Sequence, residues 1–134
     1  MVQDSPLHEV LYVSTLAPQS PIQVVAQIAI QARPANLAAG ITGLLVFDGM
    51  RFCQQLEGPR KAVLALIERI REDERHIDVE ILHHAPLAER RFRRFSLGYV
   101  TVEDADVLAR IENAGPEQAM AEFLALIPNL DLDA

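Results

Sequence analysis

The dipeptide Asp48-Gly49 lies between two apolar segments, and it constrains the fold of this chain more than any other feature. Aspartate followed by glycine is a favoured two-residue turn of β-hairpins. The pattern therefore predicts antiparallel strands over Leu44–Phe47 and Arg51–Glu57. The other predicted elements are placed relative to this hairpin.

Periodic segments on both sides of the hairpin predict three more strands and two helices. Ser20 followed by Pro21 suits the start of a helix, and Arg33 followed by Pro34 suits its end. The order β-α-β-β-α-β is the ferredoxin-like arrangement, here an α+β fold with an added fifth strand. The strands are expected over His8–Ser14, Val79–His83 and Leu97–Val100, and the helices over Pro21 to about Ala32 and over Pro59–Glu72.

Composition divides the chain into a predicted domain over residues 1–101 and an acidic extension over residues 102–134. The net charge is −7, and the extension holds the whole acidic excess. Thr101-x-x-Asp104 is similar to a capping box, and the helix that follows is expected to break at Gly115-Pro116 and to restart. Two C-terminal helices are therefore expected to pack on the free face of the sheet.

Composition also limits the class of protein. No apolar run approaches the roughly 20 residues of a membrane span, and the N-terminus has no secretory pattern. Cys53 is the single cysteine, which excludes an internal disulfide and fits a cytoplasmic protein. The basic residues Arg90, Arg91, Arg93 and Arg94 are interpreted as a solvated or interface segment rather than a nucleic-acid site.

Tyr12 and Gln54 are polar residues on the apolar faces of two predicted strands. An unpaired buried polar group costs about 1–3 kcal/mol, so both side chains need partners. They could satisfy each other or could serve a bound polar heterocycle. No phosphate loop or nucleophile motif is present, and His83 and His84 point to opposite faces of a strand, so they cannot share a metal.

Five motifs, in order, resemble the BLUF family of blue-light receptors that bind flavin. The resemblance covers roughly residues 8–100. It implies a photoreceptor, not an enzyme, that binds FAD, or alternatively FMN, without a covalent bond. The motifs are Leu11-Tyr12-Val13-Ser14, Asn36 with Gly40-Ile41-Thr42-Gly43-Leu44-Leu45, Phe52-x-Gln54-x-Leu56-Glu57-Gly58, Asp73-Glu74-Arg75-His76 with Val79-Glu80-Ile81, and Glu89-Arg90-Arg91-Phe92.

The resemblance assigns roles to individual residues. Gln54 matches the glutamine that hydrogen-bonds both the flavin and a tyrosine, and Tyr12 matches that tyrosine. Light-driven electron and proton transfer from Tyr12 to the flavin is expected to rearrange the hydrogen bonds of Gln54. The further cofactor contacts that it implies are Asn36, Arg69, Asp73, His76 and Ile28, and Arg33, in the loop beside Asn36, is a candidate contact for a phosphate of the cofactor.

Three of these contacts also have ordinary structural explanations. Arg69 and Asp73 are spaced i, i+4 and could form an ion pair on a helix surface. Asn36 follows a predicted helix end, where asparagine is often a turn residue.

Three positions depart from the family pattern. Phe95 and Leu97 occupy the places where relatives often carry a tryptophan and a methionine that are implicated in signal relay. The chain has no tryptophan, so the output route differs, while the photochemistry is expected to persist. Ala35 stands where some relatives have a second polar residue.

The resemblance also has consequences for partners. No effector domain is fused to the predicted domain, so a separate effector protein in trans is expected, together with a homo-oligomer such as a dimer. The acidic extension is the candidate interface or light-ordered segment. The alternative is a flavin-binding interaction module that does not respond to light.

Overall fold

The computed structural model describes residues 7–21, 23–92 and 97–127 of the chain. Its five strands form one sheet in the order β4-β1-β3-β2-β5, in which β2 and β5 are parallel and all other neighbours antiparallel. The predicted ferredoxin-like α+β fold with an added strand is confirmed. The elements are β1 Leu7–Leu16, α1 Val24–Ala39, β2 Thr42–Phe47, β3 Arg51–Pro59, α2 Arg60–Glu72, β4 His76–Pro86, β5 Gly98–Thr101, α3 Ala105–Asn113 and α4 Pro116–Leu126.

Helices cover both faces of the sheet. On one face, α1 and α2 pack on strand residues that include Phe52 and Leu56. On the other face, α3 and α4 pack on residues that include Cys53. The predicted position of the C-terminal helices is therefore confirmed. Their buried residues on this face are Leu108, Ile111, Ala119, Met120 and Phe123.

Helix α1 begins later than the sequence predicts. The Val24 amide bonds the carbonyl oxygen of Pro21 at 3.0 Å, so a turn replaces the first predicted turn of helix. Ser20 belongs to a preceding turn, in which its amide donates to the carbonyl oxygen of Ala17 at 2.9 Å. It does not cap the helix, which begins four residues later at Val24. The N-cap is Gln23, whose side chain makes no capping hydrogen bond.

The prediction that α1 ends at Arg33-Pro34 is wrong, since Pro34 lies inside the helix. Proline removes one backbone hydrogen bond from a helix, but Pro34 is exposed, so water can hydrate the carbonyl that is left free. The helix ends instead at Gly40, which has a φ of 74°. Its amide bonds back to the carbonyls of Asn36 and Leu37, and glycine adopts this left-handed conformation without strain.

The hairpin turn lies one residue later than predicted. The Asp48 amide donates to the carbonyl oxygen of Arg51 at 3.1 Å, so Gly49 and Met50 are the two loop residues. The Asp48 carboxylate accepts the amides of Met50 and Arg51 at 2.9 and 2.7 Å. Aspartate therefore stabilises the turn from its flank, and Gly49 supplies the positive φ of 100° that the loop requires.

The start of α3 differs from the predicted capping box, whereas the break after it agrees. Asp104, and not Thr101, is the N-cap, and its side chain accepts the amide of Asp106 at 2.9 Å. Gly115 caps α4, and Pro116 occupies its first position, where proline is favoured.

Gly43 is a position where the sheet requires glycine. A Cβ atom there would lie 2.1 Å from the carbonyl oxygen of Gln55 on the neighbouring strand. We expect Gly43→Ala to lower the free energy of unfolding by about 1–3 kcal/mol, because backbone atoms must move to accept it. Chemical denaturation would measure this. The control is Gly115→Ala, where a Cβ meets nothing within 4 Å; an equal loss in both variants would contradict the prediction.

Candidate functional site

A cavity of about 210 Å³ lies between α1 and α2 on one face of the sheet. Apolar side chains of both helices form its walls, and the sheet supplies polar groups. Such a site suits a flat ligand whose edges carry hydrogen-bonding atoms. The lining residues are Tyr12, Ile28, Gln31, Ala32, Asn36, Leu45, Gln54, Leu66, Arg69, Ile70, Asp73, Arg75, His76 and Leu97.

Tyr12 and Gln54 are directly opposite each other on β1 and β3. Both side chains are buried, and the Tyr12 hydroxyl donates a hydrogen bond to Oε1 of Gln54. Burial above all raises the pKa of Tyr12, so the phenol keeps its proton at neutral pH. Since the phenol uses the carbonyl oxygen of Gln54, the amide N–H groups are left to donate to a ligand.

Asn36 lies in a helix because α1 extends to Ala39. This residue lies in the last turn of the helix instead of a loop, is 2% exposed and lines the cavity. Ile28, about two turns earlier, lines the same cavity. Arg33 also lies in the helix, but it does not line the cavity. Its Nε donates to the carbonyl oxygen of Leu97 at 3.0 Å, which ties α1 to the start of β5.

Asp73 pairs with Arg75, and the possible helix-surface pair with Arg69 does not form. The Arg75 guanidinium lies 2.6 Å from Oδ2 of Asp73, and its hydrogen bonds hold the pKa of that carboxyl below its usual value. Arg75 also reaches Oε1 of Gln31 at 3.4 Å. Arg75 and Gln31 therefore link α1 to the segment after α2 beside the cavity.

His76 is buried next to the Tyr12–Gln54 pair. Its ring centroid lies 4.5 Å from that of Phe52 and 6.5 Å from that of Tyr12. Its Nδ1 is 2.9 Å from the hydroxyl of Ser14, which fixes the orientation of the ring. Burial lowers the pKa of His76 to about 4, although the charge of Asp73 partly opposes this. The imidazole is therefore neutral at physiological pH.

The lowered pKa of His76 predicts a pH dependence of stability. Between about pH 6.5 and pH 4 the unfolded chain binds a proton that the folded chain does not. The free energy of unfolding therefore decreases as the pH is lowered through this range, by up to about 1.4 kcal/mol per pH unit. Denaturation at several pH values would measure the slope, and His76→Gln should flatten it between pH 6.5 and 5. The control is His84→Gln, at an exposed position where burial lowers the pKa of the imidazole as well, so that its flattening should be present but smaller; an equal flattening there would contradict the assignment.

Of the two relay positions at which this chain departs from the family pattern, one lies at the cavity. Leu97 is 1% exposed and lines the cavity. Phe95 lies outside the described residues. The apolar contact of Leu97 with the cavity is therefore present without a methionine at that position.

The site contains residues to which the sequence analysis gave no separate role. The positions of those that lie on α1 and α2 follow from helix spacing only after the ends of the two helices are known. Arg75 bonds Asp73 and Gln31, and Ser14 bonds His76. Two of these pairs are distant in sequence, and the pair of Arg75 with Asp73 lies between α2 and β4, so sequence periodicity does not predict them. These residues are Ser14, Gln31, Ala32, Leu45, Leu66, Ile70 and Arg75.

The fold and the cavity together define a small α+β domain with a binding site for a flat ligand between two helices. The family model of BLUF, described as sensors of blue-light using FAD, matches residues 7–98. The chain therefore belongs to the BLUF family and is a flavin-binding blue-light sensor module, not an enzyme. No helix among residues 7–21, 23–92 and 97–127 combines the length and apolar character that a bilayer crossing requires.

Known proteins agree with this membership. The solved dark-state structure of BlrB, a BLUF protein, is 33% identical, with a TM-score of 0.78 over 92% of this chain and 96% of that one. Photoactivated adenylate cyclase subunit beta of Euglena gracilis is 51% identical over 55 residues, which are 41% of this chain and 6% of that protein. The blue light- and temperature-regulated antirepressor BluF of Escherichia coli is 31% identical over 81% of this chain and 28% of its own length. The chain thus spans a minor part of these curated relatives.

Proposed function

We propose that Tyr12 and Gln54 form the photochemical switch of this sensor. Their hydrogen bond at the cavity carries the proposal, because it connects a proton-bearing phenol to an amide that faces the ligand. A bound flavin supplies light absorption and, once excited, oxidising power. Tyr12 then gives up and recovers an electron and a proton, and Gln54 is left rotated or tautomerised with a changed set of hydrogen bonds.

Different cavity residues bind different parts of the flavin. The proposed flavin is FAD, and FMN is the alternative. Asn36 and His76 would bind the polar edges of the ring, and Ile28 would pack against it. Arg69 and Asp73 would bind the side chain of the cofactor, with Arg75 fixing the Asp73 carboxylate. For Arg33 we propose a supporting role, because its hydrogen bond holds the backbone of Leu97 at the cavity wall.

The output of the sensor is a change in its own internal contacts. A separate effector protein in the cytoplasm recognises this change. The acidic extension over residues 102–134, in which α3 and α4 cover the far face of the sheet, is the proposed surface for this effector. The relatives named for cyclase and antirepressor activity illustrate that similar domains occur with different outputs. A homodimer is the proposed assembly.

Visible spectroscopy of the dark-purified protein tests this function. Blue light should move the flavin band slightly to longer wavelength, with recovery in darkness, and Gln54→Leu should keep the flavin but lose the shift. Gln118→Leu, at an exposed position of α4, is the matched control. Flavin without a shift in the unchanged protein would favour the light-insensitive interaction module, and failure to bind flavin after reconstitution would exclude both.

A further inference from the structure

Two buried carboxylates lie opposite each other on the far face of the strands that carry Tyr12 and Gln54. Glu9 of β1 and Glu57 of β3 are direct register partners, and they are 1% and 0% exposed. Like charges at such positions repel, and burial of a charge costs free energy unless a partner compensates it. The neighbouring residues must therefore supply cations and hydrogen-bond donors.

The chain segment 90–92, between β4 and β5, supplies most of them. The Arg91 guanidinium donates to both oxygens of Glu9, at 2.7 and 3.0 Å. The backbone amides of Arg91 and Phe92 donate to the two oxygens of Glu57, at 3.0 and 2.9 Å. Burial would raise the pKa of Glu9, but the hydrogen bonds from Arg91 and Gln55 outweigh it and keep the carboxyl ionised. The two strands thus hold segment 90–92 by charge-assisted hydrogen bonds.

Arg90 fixes the same segment to the start of β2 and to Gly40 just before it. Its guanidinium donates to the hydroxyl of Thr42 at 2.9 Å and to the carbonyl of Gly40 at 2.7 Å. Thr42 in turn donates to Glu57 at 2.7 Å. Of the basic cluster seen in the sequence, Arg90 and Arg91 therefore have structural partners and do not form a free basic surface.

Gln55, which follows Gln54 on β3, forms hydrogen bonds with both carboxylates. Its Nε2 donates to Glu9 at 3.1 Å and to Glu57 at 2.9 Å, and the residue is 0% exposed. Because side chains alternate along β3, Gln54 faces the cavity while Gln55 faces the carboxylates. A displacement of β3 at Gln54 must therefore also move Gln55 relative to the partner strand.

We propose that Gln55 couples the rearrangement of Gln54 to the release of segment 90–92. The light state shifts β3 against β1, changes the separation of Glu9 and Glu57, and weakens their hydrogen bonds to Arg91 and Phe92. This inference rests on the proposed function of Gln54. It provides an output route that needs no tryptophan, which this chain lacks. Gln55 acts here as a positioning residue, since it contacts the carboxylates and not the flavin.

Hydrogen exchange of the full chain, in darkness and under continuous blue light, tests the coupling. The amides of Arg91 and Phe92 donate to Glu57, so peptides that contain them should exchange several-fold faster in the light. The red shift of the flavin band is recorded on the same samples. A protein that shows the red shift but exchanges these amides equally in both conditions would overturn the inference. Absence of the red shift would instead overturn the proposed function, and the inference with it.

Variants separate coupling from simple support of the fold. Gln55→Leu should retain flavin and the red shift, but exchange at 91–92 should become the same in darkness and light. The matched control Gln118→Leu should behave like the unchanged protein. A light effect on exchange that persists in Gln55→Leu would contradict the route. Should that variant not fold, the light–dark comparison of the unchanged protein still decides.

Discussion

Replacing Tyr12 with phenylalanine is expected to abolish the light-induced red shift while flavin remains bound. The substitution removes the hydroxyl that donates to Gln54 and changes little of the buried volume. Among the described residues that line the cavity, no other side chain provides both a transferable electron and a proton to the amide. Difference spectra before and after blue light measure the loss, and fluorescence or absorbance of the released cofactor measures binding.

The second tyrosine of the chain gives a matched control for this experiment. Tyr99 lies on β5 and is half-buried, and it does not line the cavity. Tyr99→Phe should therefore keep the full red shift. If Tyr12→Phe also keeps it, the electron and proton come from another group and the proposed switch is wrong. The Tyr12 variant should lose about 1–2 kcal/mol of stability, because Oε1 of Gln54 loses its donor.

Replacing Arg91 with alanine is expected to lower the free energy of unfolding by about 2–3 kcal/mol, which is less than for a fully buried pair because the Arg91 side chain is 33% exposed. The change leaves the carboxylate of Glu9, which is 2% exposed at its side chain, without its main counter-charge. Removing the counter-charge of a buried carboxylate has a large effect, since the charge that remains stays desolvated. Urea denaturation in the dark would measure the loss, which should be accompanied by a smaller pKa depression at Glu9.

The control for Arg91 is an arginine whose ion pair is exposed. Arg71 lies 3.9 Å from Glu68 on the surface of α2, and both side chains are well solvated. Arg71→Ala should cost less than about 0.5 kcal/mol, as is usual for exposed helix pairs. A loss of under 1 kcal/mol for Arg91→Ala would contradict the prediction. It would mean that water readily replaces the guanidinium and reaches the carboxylates.

Local patterns were sufficient to predict the order of strands and helices. The hairpin around Asp48-Gly49, the amphipathic α2 and the helix break at Gly115 each depend on residues close in sequence. The end of α1 could not be predicted in this way, because Pro34 ordinarily opposes a helix. Its tolerance depends on exposure of that side of the helix and on the cap at Gly40, and both are properties of the folded chain.

The candidate site was predictable where it depends on strand alternation. Tyr12 and Gln54 were expected on inward faces, and the register of β1 with β3 brings them together. The polar cluster on the far face was not predicted, because Glu9 and Arg91 are 82 residues apart and only the tertiary structure joins them. Sequence periodicity identifies which residues are buried, but it does not identify the partner of a buried charge.

The arrangement of β3, with alternate residues belonging to two helical layers, also has an evolutionary consequence. Phe52 and Leu56 pack in the layer of α1 and α2, where Gln54 lines the cavity, whereas Cys53 and Gln55 face the opposite layer. With the proposed output route through Gln55, selection on light detection and selection on output would act on interleaved positions of one strand. Descendants could acquire a new output by substitutions at every second residue, and a protein engineer could graft a different output onto the same detector by the same rule.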